Sequence, residues 1–245
     1  LSCSSAASDV YKRQVKTAII GQETPEVTAQ AERVKNFMNY QITYEMEEYD
    51  PELDQMLFYL PIVGSSFKKV YFDPSLQRAV SKFVHAEDLI VPYNATDLKT
   101  STRICHVIRM DSNEIRKLQL SGFYKDIELP TSDSDGANYD EVRETIKEIE
   151  GIHSESSYNE ELTLYEIHTD LDLPGFEDQN QMGENTGLKM PYIVTIVEKS
   201  GEVLSIKRNF NEADPLRSKI PYFVHYKFLP GLGFYGFGLT HMIGG

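Results

Sequence analysis

Residues 188–210, LKMPYIVTIVEKSGEVLSIKRNF, hold two runs of alternating apolar residues around a short polar break. Tyr192 to Glu198 and Val203 to Asn209 therefore read as β-strands, since successive side chains of a strand point to opposite faces. The intervening Lys199, Ser200, Gly201 and Glu202 close them into a hairpin, with Gly201 at the position that tolerates positive φ. A third strand is expected at Tyr222 to Phe228, and Leu162 to Leu171, LTLYEIHTDL, alternates as a half-buried strand upstream. The loop between Leu171 and Lys189 is rich in Gly, Asn and Asp.

Working back toward the N-terminus, Ile104, His106, Ile108 and Met110 share one strand face, after a short strand at Leu89 to Val91. Asp111 or Ser112 caps a short helix, Asn113 to about Leu120, which Gly122 ends. Phe67, Val70 and Phe72 belong to a strand that turns at Asp73 and Pro74 and returns over Ala79 to Val84. Before that hairpin, Val27, Ala31, Val34, Met38 and Ile42 recur at helical spacing over Glu26 to about Tyr49, with Thr24 as N-cap and Pro25 at the first helical position. A second helix runs from Pro51 to about Val63, capped by Asp50, bent or shortened by Pro61 and stopped by Gly64. The expected class is α+β: helices at the front, a mostly antiparallel sheet behind. Residues 126–161 are strongly acidic, with a solvated helix expected at Asp140 to Ile149.

The chain has 245 residues and a net charge of -14, from 24 Lys and Arg against 38 Asp and Glu. Such a balance argues against gripping nucleic acid through phosphate neutralisation. No apolar run reaches the roughly 20 residues that span a bilayer, so no membrane partner is expected. Cys105, once Cys3 is set aside, cannot form an internal disulfide, and a reducing compartment is the default. Cys3 is set aside because residues 1–14, LSCSSAASDVYKRQ, have neither a signal-peptide h-region nor a helical period. Ser4 to Gln14 reads as the translation of a transposase-end sequencing adaptor, though a natural Ser- and Ala-rich tail has the same composition. We exclude it from fold reasoning. The adaptor reading implies that both ends of the natural protein lie beyond this sequence.

Two trios, His85 with Glu87 and Asp88 and His168 with Asp170 and Asp172, place potential metal ligands close together without matching a defined metal motif. They read either as strand ends facing water or as the site of a metal-dependent hydrolase. Neither a GxSxG elbow nor a phosphate-binding loop is present. Cys105 sits where a small buried apolar residue belongs. We assign no catalytic residue, no metal and no cofactor. The segment LPGLGFYGFGLTHMIGG, Leu229 to Gly245, carries more apolar surface than one short loop can bury. It is either ordinary core or the opening of a helix removed by truncation, with Phe234, Tyr235, Phe237, Leu239 and Met242 as candidates for packing between subunits or subdomains.

Five stretches, in order, carry a family resemblance: YDPELDQMLFYLPIVGSSFKKVYFDP, FVHAEDLIVPYNATDL, ICHVIRMDSNEIRKLQLSGFYKDIEL, LKMPYIVTIVEKSGEVLSIKRNF and FVHYKFLPGLGFYGFGLTHMIGG. Together they resemble the portal, or head-to-tail connector, proteins of tailed bacteriophages, in the branch that includes short-tailed (P22-type) phages. The resemblance implies a homo-oligomeric ring, usually of twelve copies, at one capsid vertex of the virion. Double-stranded DNA passes through such a ring without sequence-specific contact. Terminase, scaffold and head-completion or tail proteins are the implied partners, and the ATP hydrolysis is terminase's. Residues 15–245 would be a fragment of the portal core, its wing and hip region, entering a truncated stem near 230–245. A generic capsid or tail adaptor sharing part of the fold is the other structural alternative.

Overall fold

A computed structural model describes residues 15–74, 76–130, 161–179 and 182–244. Along the chain the elements are α1 (Pro25–Tyr40), a π-turn (Gln41–Glu45), α2 (Tyr49–Val63), β1 (Ser65–Asp73), β2 (Arg78–Val84), β3 (Leu89–Ile90), β4 (Arg103–Asp111), α3 (Ser112–Leu120), β5 (Glu161–Leu171), β6 (Met190–Val197), β7 (Val203–Arg208), β8 (Phe223–Lys227) and α4 (Leu239–Ile243). The class is α+β, and the strand pairings are antiparallel. Two compact units form: the described residues up to Ala86 with those from Pro221 onward, and Glu87–Ile220. The second is an insertion between β2 and β8. The adaptor-like residues 1–14 and the helix expected at Asp140 to Ile149 lie outside the described residues.

In the inserted unit, β3, β4, β5, β6 and β7 follow one another across a five-stranded sheet. The order is that of a meander, with a tight turn between β6 and β7 and longer connections elsewhere, the one from β4 to β5 carrying α3. Gly201 has φ 67, as the β6–β7 turn requires. Helix α3 is capped by Asp111, whose carboxylate accepts the Asn113 N–H at 2.9 Å. It covers one sheet face: Ile115, Leu162, Leu164, Val197 and Leu204 are buried together with Tyr124. The Gln119 amide, also buried, donates to the carbonyls of Lys125 and Ile127, tying down the chain that leaves the helix.

In the first unit, β1 lies between β2 and β8 in a three-stranded sheet. The strand expected at Tyr222 to Phe228 forms, beside β1, with Ser65 opposite Lys227 and Lys69 opposite Phe223. Alternation specifies a strand and its inward face; it does not name a partner 150 residues away in sequence.

The first helix is shorter than its apolar period suggests. Thr24 caps it by accepting the Val27 N–H at 3.3 Å, but it gives way after Tyr40 to the π-turn and breaks at Met46, which has φ -93 and ψ 77. None of its residues is buried. Helix α2 starts earlier than expected, at Tyr49, and Asp50 lies in its first turn instead of capping it. The carboxylates at the helix start bond to strand β2 instead. Glu48 pairs with Arg78 at 2.8 Å and accepts the Ser81 N–H, while Glu52 accepts the Phe83 N–H at 2.5 Å. Beneath this turn Lys68 is buried, its ammonium 4.2 Å from the Tyr49 ring centroid. Burial lowers the Lys68 pKa, while Glu52, Asp50 and Glu48 act in the opposite sense.

Candidate functional site

Helix α2 ends at Gly64, with φ 90, and its N–H donates to Leu60 O at 2.8 Å. A left-handed C-cap of this kind is a glycine position. Here a second constraint applies. A Cβ at Gly64 would collide with the backbone of Gly236, Phe237 and Gly238, and one at Gly236 would lie 2.6 Å from Gly64 O and Leu229 O. The glycines of the C-terminal stretch let two backbones cross without intervening side chains. The crossing is hydrogen-bonded on both sides. Leu229 and Phe237 exchange N–H···O bonds of 3.2 and 2.9 Å, Phe228 N–H donates to Gly64 O at 3.0 Å, and the Thr240 hydroxyl donates to Ile62 O at 2.7 Å.

Immediately after Gly64, the Ser65 hydroxyl is buried and accepts the Gly236 N–H at 2.7 Å, with His225 Nε2 3.2 Å away. Phe67, His225 and Phe234 have nearly parallel rings: His225 lies 4.4 Å from Phe67 and 4.7 Å from Phe234, and the two phenyl rings are 5.9 Å apart. Burial lowers the His225 pKa to about 4, and Lys227 adds to the shift. The imidazole is therefore neutral at pH 7. The Tyr235 ring meets Phe67 and Phe234 edge-on, and burial raises its phenol pKa.

The five candidate packing residues divide. Phe234 is 5% exposed and belongs to this aromatic core. Tyr235, Phe237, Leu239 and Met242 each keep more than a third of their surface in solvent. Within the glycine-aromatic stretch, Leu239–Ile243 forms the short helix α4. Sequence reasoning did not single out Ser65 or His225. The signal available was the period of two in FVHYK, which places Phe223, His225 and Lys227 on one strand face.

The metal trios are committed elsewhere. His85 packs against Tyr59 and Phe83, at 4.7 and 4.4 Å between ring centroids, and belongs to the first unit, whereas Glu87 and Asp88 belong to the inserted one. Asp88 pairs with Arg109 at 2.8 Å. His168, 2% exposed, meets Glu166 on its own strand at 2.8 Å, and Asp170 acts on Lys219. Among the described residues, no group of three or more His, Cys, Asp and Glu is placed to hold a metal ion. Cys105 is half-buried, and burial raises its thiol pKa, which disfavours the nucleophilic thiolate.

The inserted unit also holds an open cavity of about 430 Å³, walled by Phe176, Tyr192 and Phe210 with Arg208, Arg217 and Glu212 at its polar side. Arg208 is paired with Glu212, and Arg217, at φ 46, is paired with Asp178. No helix among the described residues is long and apolar enough to cross a membrane. No family model matches the chain, and no curated protein matches it.

Proposed function

We propose that the chain is a structural, non-enzymatic subunit of a bacteriophage portal ring. In this reading copies of the chain, twelve in the usual ring, form a conduit at one capsid vertex for packaging and ejection of double-stranded DNA. The ring docks terminase, scaffold and head-completion or tail proteins, assembles in the host cytoplasm and remains in the virion. The observation that carries the reading is the set of five ordered sequence blocks resembling that family, which run from Tyr49 to the end of the chain.

Physical features of the first unit are compatible with it. An amphipathic helix ordinarily buries one face, yet α1 buries no residue and leaves Val34 and Phe37 exposed, and α2 exposes Leu57 and Phe58. With Tyr235, Leu239 and Met242, these are surfaces that a neighbouring subunit would cover. The net charge of -14 suits a conduit past which a polyanion slides. The reading is tested by sedimentation velocity on the product of the parent gene expressed without residues 1–14. A discrete assembly near twelve subunits supports it; a product that stays monomeric under assembly conditions refutes it.

A further inference from the structure

The two edges of the three-stranded sheet in the first unit are finished differently. Val70 N–H donates to Tyr222 O and Phe228 N–H to Gly64 O, so the alternation of an antiparallel ladder turns the backbone groups of Phe223, His225 and Lys227 away from β1. On the opposite edge the same alternation turns Ala79, Ser81 and Phe83 outward. That edge is closed by side chains. Glu48 accepts the Ser81 N–H, Glu52 accepts the Phe83 N–H, and the Arg78 guanidinium donates to Ala79 O. Four residues of helix between the two carboxylates, about 6 Å, nearly match two residues of strand, about 7 Å. Strand β8 has no such cover. Among the described residues the outward N–H and C=O groups of His225 and Lys227 make no hydrogen bond, and Val224 and Tyr226 beside them are 46% and 38% exposed.

A second stretch of the chain has the matching deficit. Val15 to Ile20, VKTAII, is neither helix nor turn; Val15, Thr17 and Ile19 are half-buried while Lys16, Ala18 and Ile20 are exposed, which is the period of a strand. All but Lys16 and Ala18 are β-branched, the side chains that suit a pleated sheet. This arm rests on α1 through Asn39, which exchanges hydrogen bonds with the Val15 backbone, and through the Thr17 hydroxyl, which donates to Ala31 O. From Lys16 to Ile20 no backbone group is hydrogen-bonded among the described residues. The arm is a strand without a sheet.

We propose that Val15–Ile20 of one copy adds as a strand to the β8 edge of a second copy, where His225 and Lys227 supply the backbone partners. The inference rests on the reading of the chain as a ring subunit, which sets a second copy alongside. An open strand edge is complemented by an extended backbone. The lengths agree: the six residues of the arm span about 20 Å and the five of β8 about 17 Å. Charge favours the same pair of surfaces. Copies that each carry a net charge of -14 repel, yet neither residues 15–22 nor residues 222–229 include an acid, so pairing them brings no carboxylates together. Within the single chain the arm is tied to α1 and does not pair with its own β8. Donor and acceptor are different surfaces, so the contact is head-to-tail, the type that generates a ring when the rotation closes.

Hydrogen exchange read by mass spectrometry on the product of the parent gene expressed without residues 1–14, dilute and assembled, tests the contact. Peptides covering 15–20 should be unprotected at dilution, and they and the β8 peptides should gain protection together on assembly. The double variant Ala18→Pro, Ile19→Pro removes both central amides of the arm, one of which faces the edge in either orientation. Neither amide is bonded within the chain, so the subunit keeps its fold. The double variant should lose both gains. An assembled product whose 15–20 peptides stay unprotected, or a double variant that keeps the β8 gain, would overturn this contact while the ring reading stands. Protection of 15–20 already present at dilution would overturn it too, since the arm would then pair within its own chain. A product that never assembles overturns the contact and the ring reading together.

Discussion

The Gly64 crossing makes the most demanding prediction, because one methyl group tests both the local conformation and the long-range contact. Placing Ala at φ 90 costs about 1 to 2 kcal/mol from the left-handed backbone alone. The new Cβ would also overlap the backbone at Gly236, Phe237 and Gly238, and relieving such overpacking adds about 1 to 3 kcal/mol. The overlapped atoms are backbone, so they cannot rotate away as a side-chain tip would. Gly64→Ala should thus cost the first unit about 2 to 5 kcal/mol. Gly122 provides the control, with φ 77 and open space around its would-be Cβ, so Gly122→Ala should cost only about 1 to 2 kcal/mol. Urea titrations of each variant, followed by hydrogen exchange of β1 and β8 peptides for Gly64 and of α3 and β5 peptides for Gly122, separate the two units. Equal costs at both glycines would refute the argument that the C-terminal stretch crosses the end of α2 in backbone contact.

Other outcomes follow from the inserted unit. Leu164→Ala, at a fully buried position under α3, should destabilise it by about 2 to 5 kcal/mol in a urea titration read at β5 and β6. Asp111→Ala removes the α3 cap and should cost about 1 kcal/mol by the same assay, with Asp111→Asn nearly neutral. Residues 87–220 expressed alone should give dispersed NMR spectra and a cooperative melt. Among the described residues they enclose a core of their own, and the chain leaves and re-enters the first unit beside the same strand, β1, where Phe67 faces Val84 and Lys69 faces Phe223. A molten product would show that the insertion depends on the unit it interrupts.

Local chemistry was legible in the sequence wherever one residue type has one physical use. Thr24 before Pro25, Gly64 after Val63, Asp111 before α3 and Gly201 in the β6–β7 turn each do what their side chains, or the lack of one, dictate. Alternation located β4, β5, β6 and β7 within a few residues, and short apolar runs bounded by turn residues located β1 and β3. What escaped is what depends on partners distant in sequence. Strand β8 pairs with β1 because the insertion brings the chain back to where it left, and no local pattern encodes that return. Asp50 lies inside the first turn instead of capping it, and the carboxylates beside it, Glu48 and Glu52, bond to β2, a strand some 30 residues on that no local pattern names. For the candidate site, the glycine-aromatic composition signalled close backbone approach. Its partners, Gly64 and Ser65, lie about 170 residues earlier, beyond the reach of any spacing rule. The trios at His85 and His168 show the converse: neighbours in sequence have other partners in the fold, Asp88 on Arg109, His168 on Glu166 and the His85 ring on Tyr59 and Phe83.

Negative-stain electron microscopy of the parent gene product, expressed without residues 1–14, tests the central claim most directly. Rings with a central hole and a fixed number of subunits are the predicted result. Uniform particles of single-subunit size, under conditions in which the protein is folded, would contradict it.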